Sequence, residues 1–115
     1  MVVKKHFTEV TEEKVDVAGA KNATIRWLIA KKDGADKFAL RMFVLKKDGF
    51  TPEHSHNWEH EIFALEGEGM LATEEGDLPL KPGDFAYVPP MALHQFRNRG
   101  AADFKFLCII PVMPE

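Results

Sequence analysis

The fold is decided by residues 49–60, which read GFTPEHSHNWEH. Three of the chain's five histidines lie within the last seven of these residues. Alternate side chains of an extended segment point to the same face, so His54 and His56 share a face. His60 returns to that face if the extension resumes near Trp58. Because imidazole is the commonest side-chain metal ligand, the stretch predicts a metal site that needs a further ligand from elsewhere in the chain.

Composition favours one domain, which we expect to span residues 1–115. The 18 acidic and 15 basic side chains give a formal net charge of −3, and no basic block is longer than two lysines, which argues against a nucleic-acid partner. No apolar stretch approaches the roughly 18 residues of a membrane-spanning helix. The first residues are too polar for a signal peptide, and a single cysteine fits a reducing compartment. We therefore expect a cytoplasmic protein without a membrane partner.

Short runs rich in Val, Ile, Leu and Phe alternate with turn residues along the chain, and they predict an all-β fold. The predicted strands are residues 22–30, 38–46, 59–65, 69–73, 84–88, 94–98 and 103–111. Turns are predicted at residues 32–34, 47–49, 74–77, 81–83 and 99–100. The best helix candidate, residues 8–17, lacks a clean 3.6-residue pattern. This spacing is typical of an antiparallel sandwich or barrel.

A second stretch, residues 83–98, reads GDFAYVPPMALHQFRN and supplies a further histidine. Pro89 and Pro90 cannot continue the interior of a sheet, so they mark a corner between two strands. His94 opens the strand after that corner and can face back into the mouth of a barrel.

Together the two stretches resemble the paired motifs of the cupin superfamily. The first motif appears as Gly49, His54, His56 and Gly67, with one residue fewer than usual between Gly49 and His54. The second appears as Gly83, Pro89, His94 and Asn98, with Met91 where a glycine is usual. The resemblance implies a double-stranded β-helix, the jelly-roll barrel of the cupins. Its core would cover about residues 36–113, with the N-terminal strands in residues 1–30 forming homodimer contacts.

The resemblance also implies a ligand set. His60 stands where the usual glutamate ligand is expected, which is similar to the small cupins with a four-histidine site. Carried over, this implies His54, His56, His60 and His94 as ligands of a divalent transition metal. The family favours manganese, whereas imidazole donors suit iron, zinc, nickel and copper. Four neutral ligands leave the ion its full charge and two adjacent positions open.

Six further residues are candidates for the pocket around the ion. Arg41, in the middle of an apolar strand, either pairs with a carboxylate such as Glu61 or holds an anionic substrate. Cys108 is either a small buried hydrophobe or a redox-sensitive neighbour of the metal. Trp58 either walls the pocket or caps a loop. Strand parity adds Phe96, which follows His94, and the neighbours of Cys108 on its face, Phe106 and Ile110.

An apolar pocket around a cation favours redox or enolate chemistry on a small organic substrate. The first hypothesis is therefore a metal-dependent oxidoreductase of the dioxygenase type. The second is a non-catalytic protein that binds a small molecule or metal. The third is an isomerase or decarboxylase, which the missing carboxylate base disfavours and for which Tyr87 is the sole tyrosine. Strands that are apolar on both faces, 38–45 and 104–110, indicate a homodimer.

Overall fold

Nine β-strands make up the fold in the computed structural model, which describes residues 1–113. In chain order they are β1 (Glu13–Lys14), β2 (Lys21–Ile29), β3 (Phe38–Phe50), β4 (His60–Glu66), β5 (Gly69–Thr73), β6 (Gly76–Leu80), β7 (Phe85–Val88), β8 (His94–Asn98) and β9 (Phe104–Pro111). Two 3-10 turns, Phe7–Glu9 and Lys31–Asp33, are the helical elements of the described part, so no helix there is long and apolar enough to cross a membrane. The last two residues of the predicted 1–115 domain lie outside the described residues.

All the strand pairs are antiparallel and form one sheet that curls into a nearly closed barrel. Its order is β6-β5-β8-β3-β9-β4-β7, with β2 on the free edge of β3 and β1 on β2. The long β3 strand pairs with β9 from Phe38↔Pro111 to Leu45↔Phe104 and then reaches β8 at Phe50↔Arg97. The predicted all-β jelly-roll barrel is confirmed.

Most predicted strands agree with the structure, and the differences have physical reasons. β3 runs four residues past its predicted end, through the predicted turn at residues 47–49, because Phe50 pairs with Lys21 on one side and Arg97 on the other. Within the predicted turn, Asp48 has a φ of 63°, a left-handed value that is unusual in a strand. The short strands β1 and β6 carry no detectable alternation, and β6 contains Pro79, a residue that is uncommon inside strands.

The core lies between the two halves of the barrel and is rich in aromatic rings. Phe106 packs on Phe43, Phe96 and Phe104, with ring centroids 5.2, 4.8 and 5.2 Å away. Along β9 the buried residues are Phe104, Phe106, Cys108 and Ile110, the alternation expected for a strand with one face inside. Gly69 lies directly against the ring of Phe104, where a Cβ atom would clash.

Candidate metal centre

Four histidines meet at one mouth of the barrel because two strands begin there. His60 is the first residue of β4 and His94 the first of β8. His54 and His94 form an isolated antiparallel bridge, exchanging backbone hydrogen bonds of 3.1 and 3.0 Å. The carbonyl of His56 accepts a 2.6 Å hydrogen bond from the N–H of Met91, whose φ of 70° is a value that favours glycine. The glycine usual at that position is thus explained by the backbone of the turn.

The imidazole rings converge. Ligand atoms of His54, His56 and His94 all lie within 4.8 Å of one another, a spacing that suits a shared metal ion. The His60 ring centroid lies 4.6 Å from that of His56 and 5.1 Å from that of His94. His60 Nε2 is 2.7 Å from His56 Nε2. The four predicted ligands therefore lie together, while their role as ligands remains a prediction.

Backbone carbonyls set the tautomers of two of these rings. His94 Nδ1 lies 2.9 Å from the carbonyl of Ala92, and His56 Nδ1 lies 2.9 Å from that of Trp58. A carbonyl can only accept, so each Nδ1 carries the proton and each Nε2 keeps a free lone pair. This is the arrangement that orients histidine ligands in metal sites.

The centre holds an unsatisfied nitrogen that fits a metal ion. His94 Nε2 is buried and has no hydrogen-bond partner among the described residues, although burying a bare polar atom is unfavourable. The ligand atoms of His54 and His56 lie within 4.8 Å of that of His94, and the His60 ring lies beside them. The close approach of His56 Nε2 and His60 Nε2 likewise requires a proton or a cation between them. The residues present therefore fit a divalent transition metal.

Three of the rings, His54, His56 and His60, are kept neutral at physiological pH, as metal ligands must be. Burial, followed by the charge of Arg41, lowers the pKa of His60 from 6.5 to about 3. Burial and then the neighbouring His94 lower the pKa of His54 from 6.5 to about 4. Burial lowers the pKa of His56 as well.

Behind His60 lie a thiol and a guanidinium. Cys108 Sγ is 2.9 Å from His60 Nδ1 and 3.0 Å from Arg41 Nη2. Burial raises the pKa of the Cys108 thiol, against the opposing effect of Arg41. Arg41 also packs over the rings of Trp27 and Phe43, at 5.4 and 5.0 Å from their centroids. Within residues 1–113 it forms no ion pair with Glu61, which is exposed, and Arg41 lines the cavity beside the histidines.

A cavity of about 730 Å³ opens onto the histidine cluster. His54, His60 and His94 line it together with Arg41, Phe96 and Cys108, as the sequence predicts for the pocket. The other wall is formed by residues that the sequence analysis did not select, namely residues 13–18, Ile25, Trp27, Phe43 and residues 51–53. Trp27 is brought there by its register opposite Arg41 in the β2–β3 pair, which no local pattern reveals.

The remaining predicted pocket residues lie outside that lining. Trp58 stacks on His56 at 3.9 Å between ring centroids, and its buried Nε1 has no hydrogen-bond partner in the described part of the chain. Phe106 and Ile110 belong to the hydrophobic core, Phe106 being stacked on Phe43 behind the cavity wall.

A jelly-roll barrel with an imidazole cluster at its mouth defines the class of this protein. Residues 41–110 match the family model of the Cupin domain. The chain is a member of the cupin family.

Three known proteins illustrate the range of its relatives. The solved structure of the polyketide cyclase RemF from Streptomyces resistomycificus superposes with a TM-score of 0.93 at 36% identity, covering 98% of this chain and 81% of that one. The glucose-6-phosphate isomerase of Pyrococcus abyssi is 37% identical over 93 residues, which cover 70% of this chain and 49% of the relative. An oxalate-binding protein of Thermotoga maritima is 36% identical over 58 residues, which cover 50% of this chain and 48% of that protein. This chain thus spans about half the length of these two curated relatives.

Proposed function

We propose that this protein is a metal-dependent enzyme that activates a carbonyl group of a small, largely apolar organic substrate, as in cyclisation or isomerisation through an enol. The observation that carries the proposal is the Nε2 of His94, which is buried and has no hydrogen-bond partner within residues 1–113, among converging imidazoles that line the cavity. His54, His56, His60 and His94 would hold the ion. A divalent ion held there supplies a Lewis acid that polarises the substrate carbonyl.

The metal would be manganese by family resemblance, or iron, zinc, nickel or copper by the preference of imidazole donors. Four neutral rings would leave its charge uncompensated by ligands. Within the described residues no carboxylate joins the candidate ligand group, although Glu13, Asp16 and Glu53 line the outer part of the cavity. These exposed carboxylates are the candidate proton acceptors for an enolisation.

The cavity supports an apolar substrate rather than a sugar phosphate. Beside its exposed carboxylates, its walls include the apolar side chains of Val15, Val17, Ile25, Trp27 and Phe43, a surface that suits an apolar substrate better than the hydroxyl groups of a sugar. The cyclase RemF is similar along nearly the whole chain, whereas the isomerase relatives match over half of their own length. Apolar walls exclude water and so strengthen the field that the substrate experiences.

A dioxygenase-type oxidoreductase is the second candidate, because an all-imidazole donor set also suits redox-active iron and copper. Both candidates share the metal and the pocket and differ in whether dioxygen is consumed.

The test begins with metal analysis of protein purified without chelators. Separate manganese, iron, zinc, nickel and copper forms are then incubated with enolisable diketones, linear polyketones and glucose 6-phosphate, while products and dissolved oxygen are followed. We expect a rearranged diketone or polyketone product without oxygen uptake, lost in His94→Ala and retained in His6→Ala. His6 is the matched control, since it is exposed and only caps the first 3-10 turn. Oxygen uptake coupled to substrate loss would favour the second candidate, and unchanged substrates throughout would refute both.

A further inference from the structure

Arg41 is a half-buried cation that has no anionic partner among residues 1–113. Its Nη2 donates to Cys108 Sγ at 3.0 Å and lies 3.4 Å from His60 Nδ1. Its Nε is buried and has no hydrogen-bond partner in the described structure. The rings of Trp27 and Phe43 attract the guanidinium but accept no hydrogen bond in its plane. The guanidinium is therefore held in place while some of its N–H donors remain available to a ligand.

The ion pairs found in residues 1–113 are elsewhere on the surface. They are Arg26–Glu12, Lys32–Asp33, Lys46–Asp103 and Lys105–Glu66. A charged group taken out of water without a counter-ion is rare, because its desolvation is not offset. Such a group inside a ligand cavity indicates that the counter-ion arrives with the ligand.

The charges around the cavity floor, which is formed by Arg41 and the histidine cluster, also favour an anionic ligand. A bound divalent ion and the guanidinium of Arg41 would be two positive centres, and within residues 1–113 no carboxylate belongs to the candidate ligand group. Glu13, Asp16 and Glu53 line the same cavity but are exposed, where water and salt screen their charges. A ligand that carries its own negative charge would therefore be favoured at the floor.

We propose that Arg41 binds the carboxylate of the substrate, and hence that the substrate is a carboxylic acid with an apolar body that packs on Trp27 and Phe43. This inference rests on the proposed function for the metal centre and adds the substrate class. A guanidinium binds a carboxylate through two parallel hydrogen bonds, which fixes orientation as well as charge. The carboxylate would then hold the rest of the molecule against the histidine cluster.

The test uses two probes of nearly equal shape, 2-naphthoate and 2-naphthamide, which differ in charge. Their binding is measured by titration calorimetry and by quenching of tryptophan fluorescence, with metal-free and with metal-loaded protein. The wild type should bind the acid more tightly than the amide in both forms. Arg41→Gln should lose about 10- to 100-fold in affinity for the acid and keep its affinity for the amide. Arg41→Lys should lie in between, because it keeps the charge and lacks the fork.

Arg97→Gln is the matched control, since Arg97 also lies over a phenylalanine ring, that of Phe50, but outside the cavity. It should change neither affinity. A wild type without preference for the acid, or an Arg41→Gln variant that loses both probes equally, would overturn the proposal; the second result would assign Arg41 a purely structural role. Metal content is also measured for each variant and tests the metal centre. Binding of the two probes by metal-free protein tests the preference of Arg41 for an acid, so the two proposals can fail independently.

Discussion

Cys108→Ala should weaken metal binding although Cys108 is not a proposed ligand. If His60 binds the ion through Nε2, its Nδ1 carries the proton and donates to Cys108 Sγ at 2.9 Å. The same sulfur accepts from Arg41 at 3.0 Å, and Cys108 is 1% exposed, so two donors lose a buried protein partner in Cys108→Ala. Loss of a partner that orients a histidine ligand typically costs 10- to 100-fold in metal affinity, or about 1.4–2.7 kcal/mol. Leaving buried donors unpaired should also lower the free energy of unfolding by about 1–3 kcal/mol.

The assay is competition for zinc with a chromophoric chelator, together with urea unfolding of the metal-free protein. Cys108→Ser keeps an acceptor at the position and should recover most of the affinity, while His6→Ala should match the wild type. An unchanged zinc affinity in Cys108→Ala, with both forms folded, would refute the orientation of His60 by the thiol.

Three further predictions concern stability and assembly. Metal-free protein should lose stability as the pH falls from about 6.5, because the unfolded chain then takes up protons that the folded His54 and His60, with pKa values of about 4 and about 3, do not. The free energy of unfolding should fall by no more than about 1.4 kcal/mol per pH unit for each ring, and by less for the more solvated His54. Urea titrations between pH 4 and 7 that show no dependence of this free energy on pH would contradict these pKa values. Phe106→Ala should lower the free energy of unfolding by about 3–5 kcal/mol, since it removes the ring at the centre of the aromatic core, and a loss below about 1 kcal/mol by urea denaturation would contradict that placement. The protein should be a homodimer, for which light scattering at micromolar concentration is decisive, and a monomeric mass would contradict it.

Much of the fold could be predicted because local sequence patterns indicate the strands and the turns between them. The alternation of Phe104, Phe106, Cys108 and Ile110 gives a strand and its buried face, and the proline pair at residues 89–90 gives the corner before His94. The ends of the strands were harder to predict from the sequence. β3 extends to Phe50 because of pairing with strands far along the chain, and β6 is held by a hairpin whose own sequence includes a proline.

The sequence by itself indicated that His54 and His56 converge, because alternate side chains of an extended segment share a face. In the structure His54 lies in a single bridge, and a bend at residues 57–58 precedes His60 at the start of β4. The paired motifs suggested that His94 lies beside the first three histidines. In the structure the backbone bridge between His54 and His94 holds them together. Only the tertiary structure decided the surroundings of Arg41. Its partners are Trp27, Phe43, Cys108 and His60, and not Glu61, because strand register, which is set by contacts between distant segments, chooses among partners that all look equally available in the sequence.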